Sequence, residues 1–234
     1  MSQINLIPNK TYKEEEIVNI IKTHNPSISD THAKWVLFDM QKSGQITRVG
    51  HRKYFSGNAK IYDHSFESDI AKRINKALND SFPLLRIVIW ETIQLNEWVS
   101  FLLSKNTIFV EVESSFESVI FDELMNDFGN KYTLLLNPDN EMIARYMRDE
   151  LIIVRTLFSR SPTNIKKRTI VLEKLVVDIV ADKYIYGLLG TEGAEYVIHE
   201  IKRCYTVNES KMFTYAKRRN KDKELRDIWG EIND

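Results

Sequence analysis

Four glutamates come closest, by type and spacing, to residues that do chemistry. Glu67 lies in a helical pattern, Glu91 follows a predicted strand, and Glu111 and Glu113 share the next strand. Restriction-type nucleases hold a divalent metal with carboxylates on neighbouring strands, and a lysine two positions after the last glutamate assists the attacking water. No lysine stands two positions after Glu111 or Glu113. We therefore expect no enzyme activity, and keep as the alternative function a restriction-endonuclease-like enzyme, or a degenerate relative of one, that a winged helix directs to DNA.

The sequence offers little for other catalytic chemistry. Cys204 is the single cysteine, so the chain forms no internal disulfide and no cysteine-based zinc site. The five histidines are scattered without the spacing of metal ligands. The glycines of residues 187–193 are not followed by the lysine of a phosphate-binding loop. We expect neither a cofactor nor a metal.

Positive residues are concentrated around one glycine-containing turn. Two short strand-like runs, residues 45–49 and 52–55, are joined by a turn at Gly50 and His51. The runs and the turn together contain four positive or potentially positive side chains: Arg48, His51, Arg52 and Lys53. Side chains of this type, held at the tip of a hairpin, bind the phosphates of nucleic acids and contribute affinity more than specificity. We predict that these four residues contact the DNA backbone.

A second group of polar residues opens the helical pattern that precedes this hairpin. Ser29, Thr31, His32 and Lys34 occupy the first turns of a helix predicted to run from Ser29 or Asp30 to about Ser43. The first turns of a recognition helix are where side chains meet base edges in the major groove. We predict that these residues read the DNA sequence.

The elements that must position both groups form a winged helix-turn-helix over residues 1–58. Glutamates in the first turn and apolar residues on one face predict a helix over 11–24, which ends at Asn25-Pro26. The second helix and the hairpin follow. Large apolar residues of the second helix are predicted to form its core: Trp35, Val36, Leu37, Phe38 and Met40.

Residues 64–234 alternate helical and strand patterns and are predicted to form an α/β domain that ends in helices, so that the fold is α+β overall. Strands are expected over 84–90, 107–112, 132–136 and 151–157, separated by helices over 96–103 and 116–128. Helices of this length between strands favour a mostly parallel sheet. From residue 169 onward the pattern is helical.

Two charged groups lie in this helical end. Glu173, Lys174 and Asp178 share one side of an otherwise apolar helix, which suits either a solvated ion-pair stripe or a contact that orients a neighbouring domain. Lys217, Arg218 and Arg219 begin a basic cluster that suits either a solvated helix end or a secondary contact with nucleic acid.

Composition indicates a cytoplasmic protein that does not associate with membranes. No apolar run approaches the ~20 residues of a membrane span, and residues 1–10 lack a signal peptide. The formal net charge is zero. The first 60 residues nevertheless carry nine Lys and Arg against five Asp and Glu, whereas residues 61–160 carry ten against sixteen. A basic N-terminal segment followed by an acidic one is typical of a DNA-binding module joined to another domain.

Two segments resemble one protein family. The stretch HAKWVLFDMQKSGQITRVGHRKYF, residues 32–55, resembles the N-terminal winged helix of AbiEi-type antitoxins, the transcriptional repressors of type IV toxin–antitoxin, or abortive-infection, systems. RTIVLEKLVVDIVAD, residues 168–182, resembles a helix of their C-terminal domain. The resemblance implies a regulator that binds double-stranded operator DNA, represses its own operon and counters a nucleotidyltransferase-like toxin.

Overall fold

The first part of the chain folds as two helices beside a small antiparallel sheet. The structure is a computed structural model that describes residues 4, 6–7, 10–50, 52–56, 62, 65–99, 101–146 and 151–230, without the side chains of residues 49 and 50. The elements of this part are β1 (Lys10–Lys13), α1 (Glu14–His24), α2 (Asp30–Lys42), β2 (Ile46–Gly50) and β3 (Lys53–Ser56). The strand order is β1–β3–β2.

Local sequence explains where these helices begin and end. Glutamates fill the first turn of α1, where the helix dipole favours negative charge. Ser29 caps α2, because its hydroxyl accepts a hydrogen bond from the backbone N–H of His32. Gly44, with φ of 77°, adopts the left-handed conformation that ends α2. The predicted second helix and hairpin are confirmed. The first helix begins at Glu14 rather than Thr11, because β1 pairs with β3.

One face of α2 packs into the core of this part, and the other does not. The buried apolar residues are Tyr12, Ile17, Ile21, Ala33, Leu37, Met40, Ile46 and Tyr54. The predicted burial of Leu37 and Met40 is confirmed, and Val36 is half-buried. The prediction that Trp35 and Phe38 are core is wrong, since these side chains are 62% and 56% exposed. The sheet and α1 cover α2 from one side, which leaves its other side open.

The rest of the chain builds a six-stranded sheet with helices on both faces. Its elements are α3 (Asp69–Ser81), β4 (Ile87–Glu91), β5 (Thr107–Val112), α4 (Glu117–Phe128), β6 (Thr133–Leu136), α5 (Asn140–Tyr146), β7 (Leu151–Thr156), β8 (Thr163–Asn164), β9 (Thr169–Ile170), α6 (Leu172–Ala181), α7 (Lys183–Cys204), α8 (Glu209–Arg218) and α9 (Asp222–Trp229). The strand order is β6–β7–β5–β4–β9–β8. The predicted α/β architecture with a helical end is confirmed.

The sheet is mixed, so the expectation of a mostly parallel sheet needs correction. β7 is parallel to both β5 and β6, but β4 and β5 are antiparallel. The described residues of 96–103 do not form the predicted helix; a 3₁₀ helix over Thr92–Glu97 precedes them instead. Without a crossover helix, the chain turns back beside β4 and enters β5 in the opposite direction.

Two further apolar clusters fill the spaces on either side of the six-stranded sheet. One joins the sheet to α3 and α4, and the other joins it to α6, α7, α8 and α9. Gly190, with φ of 70° and ψ of 172°, interrupts α7, where the glycine-rich sequence predicts a junction between helices. No helix within the described ranges is both long and apolar enough to cross a membrane. β2 of the first part contacts α8.

Candidate nucleic-acid interface

The exposed side of α2 carries a continuous line of side chains, which we call the outer ridge. Thr31, Trp35, Phe38 and Lys42 are spaced by four, three and four residues, so they stack above one another along the helix. All four are exposed. The rings of Trp35 and Phe38 meet edge to face, with centroids 6.0 Å apart. The ridge lies opposite the buried face of α2.

The residues predicted to read bases lie at the exposed beginning of α2. Thr31 belongs to the outer ridge, and His32 and Lys34 are exposed to either side of it. Ser29 is exposed as well, but its hydroxyl serves as the helix cap. The structure therefore brings these four residues together on one surface.

The first turn of α2 also carries an acid, Asp30, which is paired. Lys22 of α1 forms an ion pair with Asp30, and its hydrogen bond and charge lower the pKa of that carboxyl. The pairing offsets a negative charge that otherwise repels an approaching phosphate. Asp39, the other acid of α2, is exposed one position beyond Phe38.

The predicted cation cluster of the hairpin is divided between two directions. Arg48 on β2 and Arg52 in the turn are exposed. The Nε of Arg52 lies 3.8 Å from Oε1 of Glu14, and Arg52 adopts a left-handed backbone conformation with φ of 52°. His51 lies outside the described residues.

Lys53 is turned toward the C-terminal helices. Its Nζ lies 3.4 Å from Oε2 of Glu209, the first residue of α8, and its side chain is only partly exposed. Glu209 also accepts a hydrogen bond from the indole N–H of Trp229. Lys53 thus joins the hairpin to the second part of the chain instead of pointing outward with Arg48 and Arg52.

The basic cluster at the end of α8 is divided as well. Lys217 and Arg218 are exposed. Arg219 is directed inward: its Nη1 lies 2.8 Å from Oδ1 of Asp178, and its guanidinium stacks on Phe158 at 4.7 Å. Arg219 is therefore not part of the exposed cluster.

Two of the glutamates considered for metal chemistry lie at the surface, and one is a structural cap. Glu67 and Glu113 are exposed. The carboxylate of Glu91 is buried and accepts hydrogen bonds from the backbone N–H groups of Glu67 and Ser68 and from the side chain of Asn106. Glu91 thereby fixes the entry to α3 against the end of β4.

Glu111 is buried in the middle of the six-stranded sheet. β5 has neighbours on both sides, and the Glu111 side chain is 3% exposed. Lys174 of α6 places its Nζ 2.6 Å from Oε2 of Glu111. Arg155 of β7 binds Oε1 through Nη2 at 2.6 Å. The lysine that the strand itself lacks is thus supplied by a helix.

These contacts belong to a larger group that we call the buried ion-pair network. It contains three carboxylates and three cations, with Tyr215 donating to Asp178: Glu111, Asp178, Asp182, Lys174, Arg155 and Arg219. Lys174 and Asp178 pair at i,i+4, as their spacing suggests, but both are buried. A solvated ion-pair stripe is therefore excluded. The formal charges of the network sum to zero.

The network determines the protonation of its central carboxylate. Burial by itself raises the pKa of Glu111, but the positive charges of Lys174 and Arg155 outweigh burial and lower that pKa to about 2. Glu111 is thus held as a carboxylate by two cations, and a divalent metal there has to displace both. Across the described residues, no group of three or more His, Cys, Asp or Glu side chains is arranged to hold a metal ion.

Comparison with known proteins gives a family but no annotated relative. No curated protein and no solved structure matches the chain. A family model described as "Family of unknown function (DUF6577)" matches residues 32–234. The match begins in the first turn of α2 and includes the hairpin, the six-stranded sheet and the C-terminal helices. Since it covers most of the sequence, the chain belongs to the DUF6577 family.

Proposed function

We infer that this protein is a DNA-binding transcriptional regulator of the AbiEi antitoxin type, with α2 as its recognition helix. The observation that carries the proposal is the open side of α2. A helix of ~10–12 Å diameter fits the ~12 Å major groove, and the beginning of α2 presents Thr31, His32 and Lys34 to solvent. The buried face of α2 packs on α1 and on a three-stranded antiparallel sheet that ends in a hairpin. This arrangement is typical of a winged helix.

In the proposed complex, the β2–β3 hairpin contacts the DNA backbone. Arg48 and Arg52 are exposed and contact phosphates on either side of the groove, while Lys53 remains paired with Glu209. Lys217 and Arg218 form a secondary positive surface that contacts DNA phosphates in the same way. The resemblance to AbiEi-type antitoxins extends the proposal to repression of the protein's own operon, against a nucleotidyltransferase-like toxin. A nucleotidyltransferase gene beside this one is expected.

Replacing both hairpin arginines is expected to weaken DNA binding without abolishing sequence preference. Each phosphate contact contributes about 0.9 to the slope of log K against log salt, so Arg48→Ala with Arg52→Ala should reduce that slope by about 2. The measurement is a mobility shift on the upstream region of the protein's own gene over a range of salt concentrations. Lys76→Ala with Arg145→Ala removes the same charge from exposed positions on α3 and α5 and is the matched control. Equal slopes for the two double variants would contradict the assignment.

Removing the acid that holds Lys53 is expected to strengthen DNA binding. Glu209→Gln keeps an acceptor for the Trp229 indole but removes the negative charge 3.4 Å from Lys53, so the positive charge of Lys53 is offset less and attracts a phosphate more strongly. The expected result is an affinity several-fold higher and a salt slope steeper by about 1. Glu195→Gln, at an exposed position on α7, changes the net charge equally and should have no such effect. A Glu209→Gln protein with unaltered affinity and slope would show that Lys53 takes no part.

A further inference from the structure

Two aromatic rings on the outer ridge lie outside the apolar core that the described residues of the first part form. Trp35 and Phe38 are 62% and 56% exposed, and they contact each other edge to face. Exposing two large aromatic side chains to water is unfavourable, at about 25 cal/mol per Å² of apolar surface. Such a pair at the centre of an open helix face marks a contact surface.

We propose that the Trp35–Phe38 pair reads thymine methyl groups in the major groove, an inference that rests on the proposed DNA-binding function. The C5 methyl of thymine is the apolar group that the major groove offers, and apolar side chains distinguish thymine through it. Residues three apart on a helix differ by about 4.5 Å along its axis, close to the ~3.4 Å between successive bases on a strand. The two rings therefore reach methyl groups on neighbouring base pairs.

The surroundings of the pair favour DNA over a protein partner. Along the outer ridge the rings lie between Thr31 and Lys42, with Lys34 on one side of them and the exposed Asp39 on the other. The acid of the first turn, Asp30, is paired with Lys22. A narrow apolar pair bordered by a hydroxyl, two lysines and one acid has a net positive border, which suits a groove that has apolar methyl groups on its floor and phosphates at its rims.

The test uses duplexes that differ only in the methyl group. An alternating A·T duplex is compared with the same duplex containing uracil in place of thymine, and an alternating G·C duplex is compared with its 5-methylcytosine form. These changes remove or add the C5 methyl and leave the hydrogen-bonding groups unchanged. Affinity is measured by fluorescence anisotropy on the full chain.

The full chain is expected to bind the thymine duplex about fourfold more tightly than the uracil duplex for each methyl contacted, and about tenfold or more for two. Methylation of cytosine should increase affinity in the same direction. Trp35→Ala with Phe38→Ala should bind the thymine and uracil duplexes equally. Leu84→Ala with Leu102→Ala, which shortens two exposed apolar side chains outside α2, should retain the full preference.

The outcomes separate this inference from the proposed function. Equal binding of methylated and unmethylated duplexes by the full chain overturns the methyl reading, while a weaker Arg48→Ala, Arg52→Ala variant still supports DNA binding. A Trp35→Ala, Phe38→Ala protein that loses affinity but keeps the thymine preference also overturns it. So does a sedimentation mass that falls only in that variant, since the pair then joins two copies of the chain. Binding to no duplex at all contradicts the proposed function itself.

Discussion

Lys174→Met is expected to lower the free energy of unfolding by about 3–5 kcal/mol, the cost of leaving buried charges without their partner. The Lys174 side chain is 1% exposed and contacts both Glu111 and Asp178, which are 3% and 0% exposed. Methionine fills nearly the same space, so the loss comes from charge and not from a cavity. Urea denaturation followed by circular dichroism measures the change.

Two further variants separate charge imbalance from a general intolerance of substitution. Lys183→Met, at an exposed position on α7, should change the free energy of unfolding by less than about 0.5 kcal/mol. Adding Asp178→Asn to Lys174→Met leaves two carboxylates and two cations in the network and should recover part of the loss. A Lys174→Met protein as stable as Lys183→Met would mean that the network contributes nothing to folding.

The sequence predicts one ion pair of this network and conceals the rest. The i,i+4 spacing of Lys174 and Asp178 on an apolar helix is readable, because helical periodicity is local. Their burial depends on which strand lies beneath α6, and Glu111 reaches Lys174 only because β5 occupies the middle of the sheet. That position follows from the antiparallel return between β4 and β5, where the sequence predicts a helix over 96–103 and the chain instead forms the 3₁₀ helix Thr92–Glu97.

The sequence likewise predicts only part of the surface formed by α2 and the hairpin. The limits of α2 and of the hairpin follow from Ser29, Gly44 and the alternation of the strands, all local signals. The exposure of Trp35 and Phe38 does not, because large apolar side chains are most often buried, and hydrophobicity alone assigned them to the core. The signal in the sequence is helical periodicity, which at about 100° per residue places Trp35 and Phe38 on the side of α2 opposite Leu37 and Met40. Only one face of α2 is buried because α1 and the three-stranded sheet cover it from one side.

The pairing of Lys53 with Glu209 has no counterpart in the sequence pattern. A cluster of four positive residues around a glycine predicts a charged hairpin tip, but it does not say which side of the hairpin faces the rest of the protein. Strand alternation sends neighbouring side chains to opposite faces, and the face that contacts α8 includes Lys53. The cluster therefore serves two purposes, an exposed charge at Arg48 and Arg52 and an internal contact at Lys53.

Acid is expected to remove about 3 kcal/mol of stability through Glu111 alone. The pKa of Glu111 falls from an ordinary 4.5 to about 2 in the folded protein. A carboxyl whose folded pKa is lowered stabilises the fold above its unfolded pKa, and that contribution is lost as the pH falls. The window of loss therefore runs from about pH 4.5 down to about pH 2, at about 1.4 kcal/mol for each pH unit.

The difference between wild-type and Glu111→Gln proteins isolates this carboxylate from the other acids that titrate in the same range. At pH 7 the variant lacks the charge that Lys174 and Arg155 surround, and it should be less stable than the wild type; toward pH 2 the wild type loses the same charge by protonation, and the difference should shrink by about 3 kcal/mol. Glu113→Gln, exposed just beyond β5, controls for the substitution itself. Urea midpoints at pH 7, 4.5, 3 and 2 measure the trend. If the difference in free energy of unfolding between wild type and Glu111→Gln stays constant over this range, Lys174 and Arg155 do not hold Glu111 as a carboxylate. The buried ion-pair network would then have no negative charge at its centre.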